Sequence, residues 1–199
     1  MLKGADLVLE PGVRAFLGGR NGAGKTTLLR ICAGLVEPHG GEVTLRGLHP
    51  VRDREAYQRL LGYLPAGNGG LYARLTVRQN LEFWASLAFL RGAARTAAVD
   101  KALAGFELAD MEGSRVDRIS MGQRQRVRLA MTLLHEPEVV LLDEPHTSLD
   151  DEALALLRAA LDTHREKGGS ALWCAPASSQ ADIAADVAFT VDDGTVHRA

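Results

Sequence analysis

Eight residues near the start of the chain, Gly19-Arg20-Asn21-Gly22-Ala23-Gly24-Lys25-Thr26, fill every fixed position of the pattern G-x-x-x-x-G-K-[ST]. Glycines let such a loop curl so that successive backbone N–H groups converge on one point and hold a phosphate oxygen there. The curl needs a strand before it and, after it, a helix whose positive N-terminal end faces the same anion. The flanking residues fit both. Val13–Leu17 is a short apolar run that predicts a strand, with a second strand predicted at Leu7–Leu9 and a turn at Pro11-Gly12 between them. Lys25–Ala33 predicts a helix with Leu28, Leu29, Cys32 and Ala33 on one face, stopped by Gly34. In this setting Lys25 can reach the β- and γ-phosphates of a nucleotide, and the Thr26 hydroxyl can ligate Mg²⁺. The bland alternative is a glycine-rich turn with a chance lysine; the complete pattern in its strand–loop–helix setting argues against that.

Further along, Glu42–Leu45 and Leu61–Leu64 predict short strands, and Ala66–Gly70 a glycine-rich hinge loop. The pattern then turns helical. In Thr76–Leu90 the residues Val77, Leu81, Trp84 and Ala88 recur at helical spacing, while Phe83, Leu87 and Leu90 form a second stripe that marks either deep burial or a docking surface. Helices are also predicted at Thr96–Phe106, at Met121–His135 opened by Ser120, and at Asp151–Arg165. Val139–Leu142 is an unbroken apolar run, the mark of a parallel strand covered by helices on both faces. Late strands are expected at Ala171–Ala175 and Val187–Val191. The order predicts an α/β domain with a mostly parallel sheet: a core of residues 1–65 and 129–199, and an inserted helical subdomain at about 66–128.

The Val139–Leu142 run ends in Asp143 and Glu144. Ligands of open α/β sheets gather at the carboxyl ends of strands. There Asp143 would hold Mg²⁺ near the phosphates, and Glu144 would polarise an attacking water. Two solvated acids at a strand end would mean little alone; beside the phosphate-binding loop they mark a P-loop NTPase, a RecA-like core.

Ile119-Ser120-Met121-Gly122-Gln123-Arg124-Gln125-Arg126-Val127 narrows the class. It resembles the L-S-G-G-Q-x-Q-R-V signature of ABC transporter ATPases. Gly19–Thr27 is similar to that family's form of the P-loop, with Thr27 included. Leu142-Asp143-Glu144-Pro145 and Ser148-Leu149-Asp150 resemble its magnesium strand and D-loop. Leu61–Pro65 followed by Leu75–Leu81 resembles its linker into the helical subdomain. Four motifs in the right order make the resemblance specific, and it covers almost the whole chain. It implies an ATP-binding, ATP-hydrolysing subunit that powers transport through a transmembrane permease by closing as a homodimer or a heterodimer with another ABC ATPase. Each dimer site would combine one P-loop with the Ser120, Gly122 and Gln123 helix end of the partner. Arg124 and Arg128, spaced i,i+4, read as a solvated face. The Leu133–Pro137 run and the short chain resemble the haem exporters of cytochrome c biogenesis.

Three departures from the family bear on hydrolysis. Its glutamine after the Tyr-Leu-Pro stretch is Ala66 here, and its late histidine falls at or near Pro176, with His146 only a remote substitute. Its adenine-stacking aromatic lies upstream of anything present, so either the chain extends further or that stack is missing. Met121, in place of a signature glycine, is a smaller change. These losses leave a second reading open: a degenerate nucleotide-binding subunit with little hydrolysis, paired with an active partner. A third, an ABC ATPase acting on ribosomes or in DNA repair, calls for tandem cassettes or a long coiled coil, for which 199 residues leave no room.

Charge and composition agree. The formal net charge of −2 implies no nucleic-acid partner. No apolar run approaches the ~18 residues of a membrane span, and Asp6, Glu10 and Pro11 interrupt the N-terminal apolar stretch, so no signal peptide is read there. Cys32 and Cys174 lie in apolar runs and read as reduced, buried thiols. The expected location is the cytoplasm, peripheral at the inner face of the membrane.

Overall fold

The computed structural model describes residues 2–146, 149–175 and 183–199. Its strands are β1 (Arg14–Gly19), β2 (Leu61–Leu64), β3 (Val139–Asp143), β4 (Ser170–Cys174), β5 (Val187–Asp192) and β6 (Thr195–Arg198). They form one sheet in the order β2-β3-β4-β1-β5-β6. Every pairing is parallel except β5 with β6. Its helices are α1 (Lys25–Cys32), α2 (Arg54–Arg59), α3 (Val77–Leu87), α4 (Gly92–Gly105), α5 (Met121–Leu133) and α6 (Asp151–Glu166). Helices α3, α4 and α5 follow β2 and precede β3, so they enter the chain as one helical insertion between two sheet strands.

The strands form where continuous apolar runs can be covered on both faces. All five residues of β4 are buried, and so are the last four of β3. Two apolar clusters result. One packs Leu64, Leu142 and Trp173 of the sheet against Leu81 of α3, Leu103 of α4 and Leu129 of α5. The other packs Leu17, Leu141 and Cys174 against Leu28 and Leu29 of α1. Burying each leucine side chain contributes about 1.5–3 kcal/mol.

Helix α5 is the insertion's link to the core. Ser120 caps it in extended conformation: its side chain accepts from the Gln123 amide at 3.2 Å, and Gln123 Oε1 accepts from the Ser120 amide at 2.9 Å. This reciprocal box satisfies two N–H groups that the helix start would leave unpaired. From Val127 to Thr132 every residue of α5 is buried, because the sheet, α3, α4 and α6 enclose it. At Gly62 of β2 an added Cβ would lie 2.6 Å from the Thr132 carbonyl, so only glycine permits this approach.

Several expectations are corrected here. Leu7–Leu9 and Glu42–Leu45 are not strands. A strand needs a neighbour to take its hydrogen bonds; here Gly4 bridges only Thr195, and Leu45 pairs back on Leu48 across a tight turn. Val8 is 74% exposed. Helix α2 and strand β6 were not foreseen. The predicted solvated face of Arg124 and Arg128 is overturned: Arg128 is 2% exposed and Arg124 half-buried. Cys32 is only half-buried, though burial still pushes its thiol up to about 11; both cysteines are free.

An ion cluster ties the insertion to the core at its outer edge. Glu136, between α5 and β3, accepts from Lys101 of α4 and from Lys167 after α6, the latter at 2.8 Å. The Lys101 bond first, then that of Lys167, hold the Glu136 carboxyl down at about 2. A carboxyl depressed in the folded state stabilises above its unfolded pKa and loses that contribution as pH falls through the folded one. Glu136→Gln should therefore flatten the fall in urea midpoint between pH 4.5 and about 2, with a small change at neutral pH because the side chain is 58% exposed. Identical acid limbs for the two proteins would show the cluster to be inert.

Candidate functional site

The loop that follows β1 lies at the carboxyl end of the sheet, and its conformation is dictated by glycine. Gly19 has φ +132, and an added Cβ would stand 2.5 Å from the Val191 carbonyl of β5. Gly22 and Gly24 have φ of +79 and +112, and Gly24 caps α1. Arg20, Asn21 and Gly22 are exposed, Ala23 and Gly24 half-buried, and the Ala23 amide closes a turn on the Arg20 carbonyl at 3.1 Å. Helix α1 then points its first turn at the loop, with no acidic residue in that turn to compete for an anion.

Two of the chain's predicted site residues start α1. Lys25 is 7% exposed, and its ammonium folds back along the loop to donate to the carbonyls of Gly19 at 2.8 Å and Arg20 at 3.0 Å. Thr26 donates from Oγ1 to Asp143 Oδ1 at 3.1 Å. Thr27, the next residue, is exposed. Asp143 is the last residue of β3 and is 1% exposed, and its second oxygen, Oδ2, is buried without a hydrogen-bond partner. A buried carboxylate oxygen left unpaired costs about 1–3 kcal/mol or more, so it marks a place where a cation is wanted. A hydroxyl and a carboxylate at one spot are the hard oxygen donors that suit Mg²⁺, which takes few protein ligands and relies on phosphates and water for the rest.

Strand β4 lies between β1 and β3, and its Cys174 is a member of the site that the sequence reading missed. Its thiol donates to Asp143 Oδ1 at 2.8 Å. Burial, and then that bond, push the Cys174 thiol well up, so it remains a neutral donor. The register pairs Cys174 with both Leu17 and Asp143. That parallel register sets the end of β4 beside the acid, and no sequence pattern signals it.

Glu144 is half-buried and follows β3 with φ +51, a left-handed conformation that is costly for a residue with a side chain and placed before proline. Its amide donates to the Cys174 carbonyl at 2.9 Å. His146 is half-buried in the turn beyond it. The D-loop's Asp150 caps α6 by accepting from the Ala153 amide at 2.8 Å. Ser148 and the expected histidine position at Pro176 lie outside the described residues. The Thr26–Asp143 bond thus brings the Gly19–Thr26 loop to the end of β3, where Glu144 is the next residue.

The signature residues belong to a different element, the start of α5. Ser120 and Met121 are exposed, Gly122 and Gln123 half-buried. Met121 lies 3.3 Å through its sulfur from the Asn68 amide of the linker. The Gln123 N–H is taken by Ser120, and the N–H groups of Met121 and Gly122 ahead of it make this end a second anion-attracting point.

Arg128, the second residue of the buried stretch of α5, was also missed in its true role. Its Nε donates to the Gly69 carbonyl at 2.9 Å, Nη2 to the Pro65 carbonyl, and Nη1 to Gln125 Oε1 at 2.6 Å. Burial pulls its pKa down, yet a guanidinium stays charged under all ordinary conditions. The signal was its neighbourhood: Val127, Leu129, Ala130 and Met131 surround it, so no face of α5 there was left for solvent.

Comparison with known proteins places the chain among relatives of one family. A family model described as ABC transporter matches residues 2–147. The ABC transporter ATP-binding protein NatA of Bacillus subtilis (strain 168) is 30% identical over 195 residues, covering 98% of this chain and 79% of that protein. The cytochrome c biogenesis ATP-binding export protein CcmA of Methylococcus capsulatus is 40% identical over 172 residues, covering 86% of this chain and 82% of that one. The solved dimeric structure of an ATP-binding cassette in a post-hydrolysis state, bound to ADP and phosphate, has the same fold, with a TM-score of 0.84 at 24% identity, covering 99% of this chain and 88% of that one. On the motifs, the fold and these likenesses, the chain belongs to the ABC transporter family.

Proposed function

We propose that this subunit binds ATP with Mg²⁺ between its own P-loop and the signature helix of a second cassette, and that hydrolysis reopens the pair to drive a transmembrane permease. The observation that carries this reading is the Thr26–Asp143 bond beside the orphaned Asp143 Oδ2, which joins a phosphate cradle and a cation-seeking carboxylate at one strand end. The backbone amides of Gly19–Thr26 hold the phosphates, Lys25 turns from its loop carbonyls to the β- and γ-phosphates, and Thr26 with Asp143 holds the cation. A divalent cation there draws charge from the phosphates. Glu144 orients a water in line with the γ-phosphorus and accepts its proton. A new P–O bond forms to that water as the bond to the β-phosphate oxygen breaks, giving ADP and phosphate. Lys25 and the partner's α5 start, with Ser120, Gly122 and Gln123, face the charge on the departing group.

No helix of the described residues is long and apolar enough to cross a membrane. Membrane work would therefore pass through a partner held at the insertion. The stripe Phe83, Leu87 and Leu90 supports this docking role over burial: Leu87 is 52% exposed, Phe89 beside it 37%, and Phe83 packs edge-on against the half-exposed Tyr72 at 4.8 Å. A cytoplasmic position at the inner membrane face is part of the same proposal. The likeness to CcmA at 40% identity supports a haem-exporter relative, and that to NatA at 30% keeps other cargoes in view.

A mixing experiment tests the shared site. Lys25→Ala and Ser120→Arg chains should each be inactive alone. Mixed, they should recover hydrolysis, because the mixed dimer pairs the intact P-loop of one chain with the intact signature of the other. Absence of any recovery would remove the homodimeric sandwich.

A further inference from the structure

We propose that Arg128 and Gln125 form a positioning relay which sets Glu144 according to the placement of the linker at residues 65–70. It rests on the hydrolytic role given to Glu144 above. The linker is held from inside by Arg128, on the carbonyls of Pro65 and Gly69, and from outside by Trp84 of α3, whose Nε1 donates to the Gly70 carbonyl at 2.9 Å. The other edge of the guanidinium turns to Gln125 Oε1 at 2.6 Å. That bond fixes which way the carboxamide points, and its NH₂ then donates to the Pro145 carbonyl at 3.2 Å. Pro145 directly follows Glu144. Three chain segments far apart in sequence, residues 65–70, α5 and the end of β3, are thus joined by one line of hydrogen bonds, part-buried at residues 65–70 and buried from Gln125 onward.

Glu144 needs such a hold. Its left-handed backbone is strained, and strain of this kind persists only where surrounding contacts fix it. The sheet holds one side through the Cys174 carbonyl, and the relay holds the other through Pro145. The partners of Arg128 named above are carbonyls and an amide oxygen, not a carboxylate, so the charge serves joining rather than ion pairing. If the linker moves, the guanidinium must follow its carbonyls, because Arg128 is 2% exposed and leaving its N–H groups unpaired inside the protein is costly. Gln125 is then drawn with it, and the grip on Pro145 changes. Displacement of the linker becomes a change in the direction of the Glu144 carboxylate. Ala66, exposed and without a polar side chain, cannot provide such a link itself.

The test uses the purified chain. Arg128→Met and Gln125→Leu should each lower the single-turnover rate of ATP hydrolysis about 10- to 100-fold, the scale of a reacting group misplaced by ~1 Å. ATP affinity should stay within about twofold, since neither side chain is among the phosphate-binding residues. The double variant should be no slower than the slower single, as members of one relay do not add. Arg128→Lys, a point donor that cannot span the Pro65 carbonyl and Gln125 together, should behave like Arg128→Met and replaces it should that variant not fold. Hydrogen exchange at Asp143, Glu144 and His146 should quicken in both Arg128 variants. Additive losses, an unchanged rate, or a parallel loss of ATP affinity would overturn the relay. Were the unaltered chain to bind but not hydrolyse ATP, the hydrolytic reading would fall. The relay would then be decided by exchange alone, and undisturbed exchange at Asp143, Glu144 and His146 would end it.

Discussion

Lys25→Ala is expected to weaken ATP binding by ~100-fold or more while leaving the fold intact. The ammonium is 7% exposed and already dehydrated by the loop, so it meets a phosphate at little further desolvation cost. Hydrogen bonds to charged groups contribute about 1.5–3 kcal/mol each, and contacts to two phosphates together correspond to two or more decades of affinity. The folded chain loses only the bonds to the Gly19 and Arg20 carbonyls, which lie beside exposed loop and can turn to water. Calorimetric titration with ATP-Mg²⁺ reads the effect. An affinity equal to that of the unaltered chain would refute the phosphate-binding assignment of Gly19–Thr26.

Glu144→Gln should act on a different quantity. The amide keeps the shape and the backbone contact to Cys174 but cannot take a proton from water, so hydrolysis should fall by ~10²- to 10⁴-fold with ATP affinity retained. With reopening blocked, ATP-bound pairs should accumulate. Gel filtration at saturating ATP-Mg²⁺ should then move the variant from monomer to dimer. A monomer alone under those conditions would count against closure between two copies of this chain. The same variant separates the two hydrolytic readings: if the unaltered chain is already as slow as Glu144→Gln, the subunit is a binding partner for a more active cassette.

The residues that make up the phosphate site were legible because their chemistry demands local patterns. A loop that wraps phosphate must be rich in glycine, and a buried parallel strand must be apolar until it reaches the acid. The Ser120–Gln123 capping box was similarly readable from residue types three apart. Leu7–Leu9 and Glu42–Leu45 have strand-forming residues but find no partner strand, and a partner is a property of the whole fold. Strand β6 could have been found. Asp193-Gly194 is a two-residue hairpin signal, and both residues adopt the positive φ that such a turn requires, +44 and +82. Arg128 was misjudged because spacing to Arg124 was weighed without asking what enclosed α5. The contact of Cys174 with Asp143 depends on strand order, which no linear pattern encodes.

Because β4 is wedged between β1 and β3, the phosphate loop and the acid strand are fastened to opposite flanks of one fully buried ribbon. Sliding one relative to the other would break two ladders at once. The sheet end that meets the nucleotide is thus a stiff anvil, and on the mechanism proposed above any stroke falls to the helical insertion. On the docking role proposed above, substitutions on the exposed side of α3 that spare Trp84, at Leu87 for example, would alter the fit to a partner without touching the strands that carry the site.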